Sequence, residues 1–421
     1  MAAFESLTQS VLSLYHFRNN YFAVNSVEQY ANKEKEVNAK LEETLRELND
    51  ARNECETADK ALYYMLYGKA LNVKSTFDPL AYELLSKSIK LNPKLTEAWN
   101  QLGECYWKKG DLKAAFDCFE GSLKQNKKDK VALRNLSMLL RQIGENHKEK
   151  QANLLKSLEI AKEAVAVDVT DGMSWYNLGN ACFNLFFASS NRDWMKQCKV
   201  AYGKAIVDPV ASSQPDFIFN YAICLQYEEM FQESLEYFSK ASLLDPSWNE
   251  PRVIEFYLQN FIRDIHDMIA KKGSLKQKRI QNLLSALKPE VHLGLHKDKL
   301  EVVKTNELIA GINKKKVFLA KIIGCVNVEK MLCHTFCVMD SEQNCIAISI
   351  YNLNGEKGPK IGDSLAIPEP FYRIMKINYN TLNISYPSIR VDSPLDVLIN
   401  GKFPNQDCIA IPRISFTVTS E

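Results

Sequence analysis

Asp216 and Glu250 lie 34 residues apart, each close behind a residue that can open a helix, Pro215 and Trp248. Two carboxylates at one repeat spacing can face a single cationic ligand if the segments between them stack in register. Arg141 is a cation far upstream in a leucine-rich run, and Asn180 is an amide that can bond a peptide backbone. Acids are also favoured in the first turn of any helix by its dipole, so Asp216 and Glu250 have a purely structural reading as well. A second feature is Lys271-Lys272-Gly273-Ser274-Leu275-Lys276-Gln277-Lys278-Arg279, in which basic residues dominate and acids are missing. Such a run fits a local contact with a phosphate backbone, one that positions without reading sequence.

Catalytic patterns are missing. The chain has no G-x-S-x-G, no H-E-x-x-H, no Walker loop and no G-x-G-x-x-G, so it is expected not to be an enzyme. Cys325, Cys333, His334, Cys337 and Cys345 cluster, yet they sit in alternating, strand-like runs rather than at the turn spacing of metal ligands. They read as buried strand residues. No metal and no cofactor are expected. The eleven cysteines contain no C-x-x-C pair, which points to reduced thiols of the cytosol or nucleus. Lys and Arg number 53 against 51 Asp and Glu, a net charge of +2 over 421 residues. A surface basic all over is excluded, so any nucleic-acid contact must be a patch. No run is long and apolar enough for a membrane span.

The elements that must position these residues change period along the chain. Up to about residue 285, apolar residues recur at i, i+3, i+4 and i+7, the mark of helices with one buried face. Ser26-Val27-Glu28-Gln29 reads as the cap of a long charged helix running to about Thr57. Trp99, Leu102, Gly103 and Tyr106 then fit W-x2-L-G-x2-Y, with Ala115 and Phe119 following in a helix over Asp111 to Lys124. Trp175, Leu178 and Gly179 open the pattern again, and Asp208-Pro209 and Asp245-Pro246 close units. This is the tetratricopeptide repeat pattern, with a period of ~34 residues. Glycine lets the two helices of a unit approach, an aromatic fills the gap between them, and proline ends the second helix. Insertions near Gly144–His147 and Ser189–Arg192 are expected as loops. In this register Asp216 and Glu250 share position 2 of successive units, Arg141 falls at position 12 and Asn180 at position 9. All four are expected on the concave wall, where such arrays bind peptides.

From about residue 300 the period becomes two. Strands are expected at 317–323 with a bulge or sharp bend at Gly324, at 334–340, at 345–351, at 362–368, at 386–391 and at 397–399. About five strands in this length fit a small Greek-key barrel of the OB-fold type. The expected fold is α+β and multidomain, an all-α tetratricopeptide repeat superhelix followed by a small β-barrel. Helices over 1–60 cap the array, repeats fill 61–285 and the barrel takes 300–421. Barrels of this type often stack bases on aromatics, and Phe336, Tyr351, Phe371 and Tyr372, with Lys360 and Arg373, are the residues that could do so. The preferred reading is that Phe336 is core and the others form the rim.

The stretches EAWNQLGECYWKKGD (97–111), LRNLSMLLRQ (133–142), LDPSWNEPR (244–252) and GDSLAIPEP (362–370) resemble the tetratricopeptide repeat protein 5 (Strap) family, and the likeness runs from about residue 13 to 402. That resemblance implies an adaptor for tubulin autoregulation. Such an adaptor binds the N-terminal Met-Arg-Glu-Ile or Met-Arg-Glu-Cys peptide of nascent tubulin at the ribosome exit tunnel. It then recruits a further adaptor and a deadenylase, and the tubulin mRNA decays. By local motif the resemblance carries peptide contact to Arg141, Asp216 and Glu250, and contact with ribosomal RNA to Lys276 and Lys278. It also implies an alternative role, a stress-responsive nuclear coactivator that binds a histone acetyltransferase complex and touches chromatin through the barrel. Cytoplasmic and nuclear residence are both implied, and no membrane.

Overall fold

The computed structural model describes residues 2–293, 300–326, 328 and 330–410; His296 and the tail beyond residue 410 lie outside them. The helices run α1 (Ala2–Val24), α2 (Lys33–Asp50), α3 (Arg52–Leu71), α4 (Pro79–Leu91), α5 (Thr96–Lys109), α6 (Leu112–Gln125), α7 (Lys130–Leu140), α8 (His147–Val167), α9 (Gly172–Ser189) and α10 (Arg192–Ala205). They continue as α11 (Pro215–Tyr227), α12 (Phe231–Leu244), α13 (Glu250–Ala270), α14 (Gln277–Ser285) and α15 (Pro289–His292). The chain divides into two compact units. Among the described residues, one comprises 2–220 and Ala241–Trp248, the other Tyr221–Lys240 and those from Asn249 to 410.

In the first unit, helices pair as antiparallel hairpins: α3 with α4, α5 with α6, α7 with α8, α9 with α10. The glycines explain the close approach. A Cβ on Gly103 would lie 2.5 Å from the Phe119 ring, and one on Gly179 would lie 2.2 Å from that of Tyr202. Both expected insertions are interhelical: the first separates α7 from α8 and the second α9 from α10. Side-chain caps start the helices, as where Asp111 accepts from the Ala114 amide at 3.0 Å.

The N-terminal reading needs one correction. Gln29 accepts from the Ser26 amide at 3.2 Å, but this closes only a short 3-10 turn, Val27–Asn32. The charged helix then begins at Lys33 and stops at Asp50. Next, α3 kinks at Asp59 (φ −154°, ψ 93°), whose carboxylate accepts from the Leu62 amide at 3.0 Å. Asp59 is therefore a cap inside what reads as continuous helix. On α2, Val37, Leu41, Thr44 and Leu48 are buried, one stripe that shares a core with α1 and α3.

In the second unit the strands are β1 (Glu301–Val303), β2 (Gly311–Ile312), β3 (Lys316–Val326), β4 (Cys333–Met339), β5 (Cys345–Tyr351), β6 (Ser364–Pro368), β7 (Phe371–Tyr379), β8 (Leu382–Val391) and β9 (Leu398–Ile399). They form one sheet ordered β2-β7-β8-β5-β4-β3-β6-β9, with β1 parallel to β3. β5 and β8 also run parallel, so the chain crosses over between them. This is the curled sheet of an OB-fold, with Phe318, Phe336, Ile348 and Ile389 in its core. The expectation of about five strands was low, and the longest omission is β7. Its burial alternates only after Ile374, and Arg373 and Lys376 within it weaken the period-two signal. At Gly324 the register of β3 against β4 shifts, a bulge as expected. The glycine has a second reason: a Cβ there would lie 2.3 Å from the Met268 sulfur of α13.

Candidate functional site

Arg141 ends α7 as its C-cap. Its guanidinium Nη1 donates to Asn177 Oδ1 at 3.0 Å and to the Ser137 hydroxyl at 3.2 Å, with the Ser157 hydroxyl at 3.4 Å. Every one of these acceptors is neutral. Enclosure pushes the guanidinium pKa down to about 10, and the nearby Tyr176 and Tyr202 hydroxyls offset part of that. A half-buried cation held by neutral dipoles keeps the capacity to pair with an incoming anion.

Asp216 occupies the first turn of α11 and is exposed. Its Oδ2 accepts from the hydroxyl of buried Tyr176. Burial first, then the Asp216 charge, raise the Tyr176 pKa well above its usual value, so the phenol stays a donor. Tyr176 also feels the Arg141 charge. One tyrosine thus stands between an acid and a base. Phe217 packs against Tyr176 at 4.9 Å and Tyr202 at 5.4 Å between ring centroids, which fixes both phenols.

Asn180 is buried, and its Oδ1 accepts from Tyr202 at 2.5 Å and from Asn220 at 3.3 Å. Its carbonyl is therefore spent within the protein. Asn177 is 2% exposed, and its Nδ2 finds no acceptor among the described residues. Sequence reasoning passed over Asn177, Tyr176 and Tyr202. The signal was available, because Asn177 stands immediately before the Leu178-Gly179 of the repeat motif. Glu250 opens α13 in the second unit and is half-buried. The structure brings Arg141, Asn180 and Asp216 into one network of the first unit.

The basic run lies in the second unit. Lys276 is the N-cap of α14, Lys278 is in its first turn, and both are exposed. On the underside Ile280 is buried and packs with Ile323, Cys337 and Met339, joined by Leu283 and Leu284. Gly273, at φ +63°, brings the backbone so close to the Ile323 carbonyl that a Cβ would lie 2.9 Å from it. The lysines thus ride on a helix anchored to β3 and β4.

The stacking residues fare differently. Phe336 is core, as preferred. Tyr351 is buried rather than on the rim: its hydroxyl donates to Glu229 Oε1 at 3.0 Å, and the Arg390 guanidinium lies 3.9 Å over its ring. Arg373 is ion-paired with buried Glu229. Tyr372 is 9% exposed. Phe371 and Lys360 alone of this set remain exposed. All eleven cysteines are free thiols, buried or half-buried.

A family model described as "Tetratricopeptide repeat protein 5 OB fold domain" matches residues 299–412, and a tetratricopeptide repeat model matches 96–129. Tetratricopeptide repeat protein 5 of Homo sapiens is 40% identical over 425 residues, covering 98% of this chain and 96% of the relative. The Bos taurus protein is 41% identical over 412 residues, covering 94% and 93%. The Mus musculus protein is 41% identical over 416 residues, covering 96% and 94%. The fold, the barrel match and this end-to-end identity agree: the chain belongs to the tetratricopeptide repeat protein 5 family.

Proposed function

We propose that the chain is a non-enzymatic adaptor that binds the N-terminal Met-Arg-Glu-Ile or Met-Arg-Glu-Cys peptide of nascent tubulin at the ribosome exit tunnel and thereby triggers decay of the tubulin mRNA. The observation that carries this reading is Arg141, a half-buried cation with neutral partners, and Asp216, an exposed acid, on either side of Tyr176, which bonds the acid and feels the cation's charge. A ligand that complements it carries adjacent charges of opposite sign. Its glutamate would meet Arg141 and its arginine Asp216, with Glu250 as the further acid that the repeat register supplies. Asn180, at position 9 of its repeat, would offer its amide to the peptide backbone. Lys276 and Lys278 would contact ribosomal RNA phosphates, and a further adaptor with a deadenylase would follow. The protein would work in the cytoplasm.

The test is titration of the full chain with a Met-Arg-Glu-Ile peptide. Arg141→Ala and Asp216→Ala should each abolish measurable binding, since loss of one partner of a desolvated charge pair costs about 2–5 kcal/mol. Unchanged affinity in both variants would overturn the reading.

A further inference from the structure

Cys337 and Cys345 stand on adjacent strands and share a face of the sheet. β4 and β5 are antiparallel, with Met339 opposite Cys345 and Cys337 opposite Ala347. The two cysteines are therefore diagonal neighbours across the ladder, a spacing over which side chains can meet. Both belong to the cluster under α14, with Ile280, Ile323 and Met339. Cys337 is 2% exposed, whereas Cys345 is half-buried. Their sulfurs meet directly: the Cys337 thiol donates a hydrogen bond to Cys345 Sγ.

This pair differs from the other half-buried thiols, Cys325 and Cys333, both of which burial pushes up. Cys345 is pulled down, chiefly by the hydrogen bond from Cys337. Burial opposes that, the Lys272 charge adds to it, and the Asp340 charge opposes it. The Asp340 carboxylate is turned to its neighbours' backbone, accepting from the amides of Thr305 and Glu342 at 2.9 Å and of Asn344 at 3.0 Å. Donating to Cys345, and then burial, hold the proton on Cys337. A thiolate open to solvent with a protonated thiol directly behind it is the arrangement of an attacking and a resolving cysteine.

We propose that Cys337 and Cys345 are a peroxide-sensitive dithiol, with Cys345 as the attacking sulfur and Cys337 as the resolving one. The Cys345 thiolate attacks an oxygen of hydrogen peroxide. The S–O bond forms, the O–O bond breaks, and the hydroxide that leaves takes up a proton to become water. Cys337 then attacks the sulfenic sulfur. The S–S bond forms, the S–O bond breaks, and the hydroxyl departs with the Cys337 proton as a second water. The peroxide gains two electrons, one from each sulfur. A bond between diagonal positions draws the strands together, which leaves it open to reduction by a thiol. It forms beneath the helix that carries Lys278, and it does not depend on the peptide reading.

The test treats the reduced full chain with hydrogen peroxide at neutral pH, caps the remaining thiols and reads each cysteine by mass spectrometry. Cys337 and Cys345 should disappear together, roughly tenfold or more faster than Cys325 and Cys333. A linked Cys337–Cys345 peptide should appear, and dithiothreitol should remove it. Cys337→Ser should leave Cys345 as a sulfenic acid that dimedone traps, and Cys345→Ser should leave Cys337 a thiol at the same dose. The rate comparison is made in the unaltered chain, so it stands even where a variant misfolds. The proposal is overturned if Cys345 reacts no faster than Cys325 and Cys333, or if it oxidises without forming the linked peptide.

Discussion

At the scale of single residues, the chemistry lies in how Arg141 is surrounded. A guanidinium in water needs no partner, but a half-buried one does, and Arg141 has three neutral acceptors where a carboxylate would serve better. Keeping an enclosed charge for a ligand lowers the stability of the free protein. Arg141→Met should therefore abolish peptide binding while the ligand-free melting temperature stays the same or rises. A melting temperature several degrees lower would show that the arginine is structural. The sign of the pH effect agrees: a cation whose folded pKa lies below its unfolded value costs stability wherever it is charged. That cost should fade only as pH rises through about 10. Register counting singles out Arg141, Asp216 and Asn180 because repeats make position predictable. It did not reach Tyr176, since nothing in the sequence says that one phenol will bond an acid 40 residues away.

At the scale of elements, the tight helix pairs hold the site in shape. Tyr202 both fills the space over Gly179 and donates to Asn180. Gly179→Ala should push that ring, destabilise the first unit by about 1–3 kcal/mol as overpacking does, and weaken peptide binding too. Calorimetry and titration together check this, and a destabilised variant with normal affinity would separate the hairpin from the site. On α14, the apolar underside fixes which face is presented. Lys276→Glu with Lys278→Glu should weaken ribosome co-sedimentation and reduce its log–log salt slope by about 2, with free-peptide binding intact. Long periodic helices and strongly apolar strands were legible in the sequence. The break at Asp50, the kink at Asp59 and the strand β7 were not. At Asp59 and in β7, polar residues that cap or ion-pair locally mask the period that burial would otherwise write.

At the scale of the whole molecule, near-neutral charge conceals separate charged sites: an acid and a base joined through Tyr176, a cationic helix, and a buried ionic cluster. The cluster joins Glu229 to Arg373, Tyr351 and Arg390 within the second unit. It engages both arginines, Arg390 buried and Arg373 a quarter exposed, which the sequence could not reveal because Glu229 lies more than 120 residues away from Tyr351. Glu229→Ala should strand the buried Arg390 and unpair Arg373, at a cost of about 3–5 kcal/mol, seen as a lower melting temperature. The central claim, that opposite charges in a fixed order are what the chain reads, has a direct test. Stalled ribosomes displaying a tubulin N-terminus that begins Met-Arg-Glu-Ile are compared with ribosomes displaying the same chain with its arginine and glutamate exchanged, and co-sedimentation of the protein with each is measured. The account predicts capture by the first and at least tenfold less by the second. Equal capture by both would contradict it.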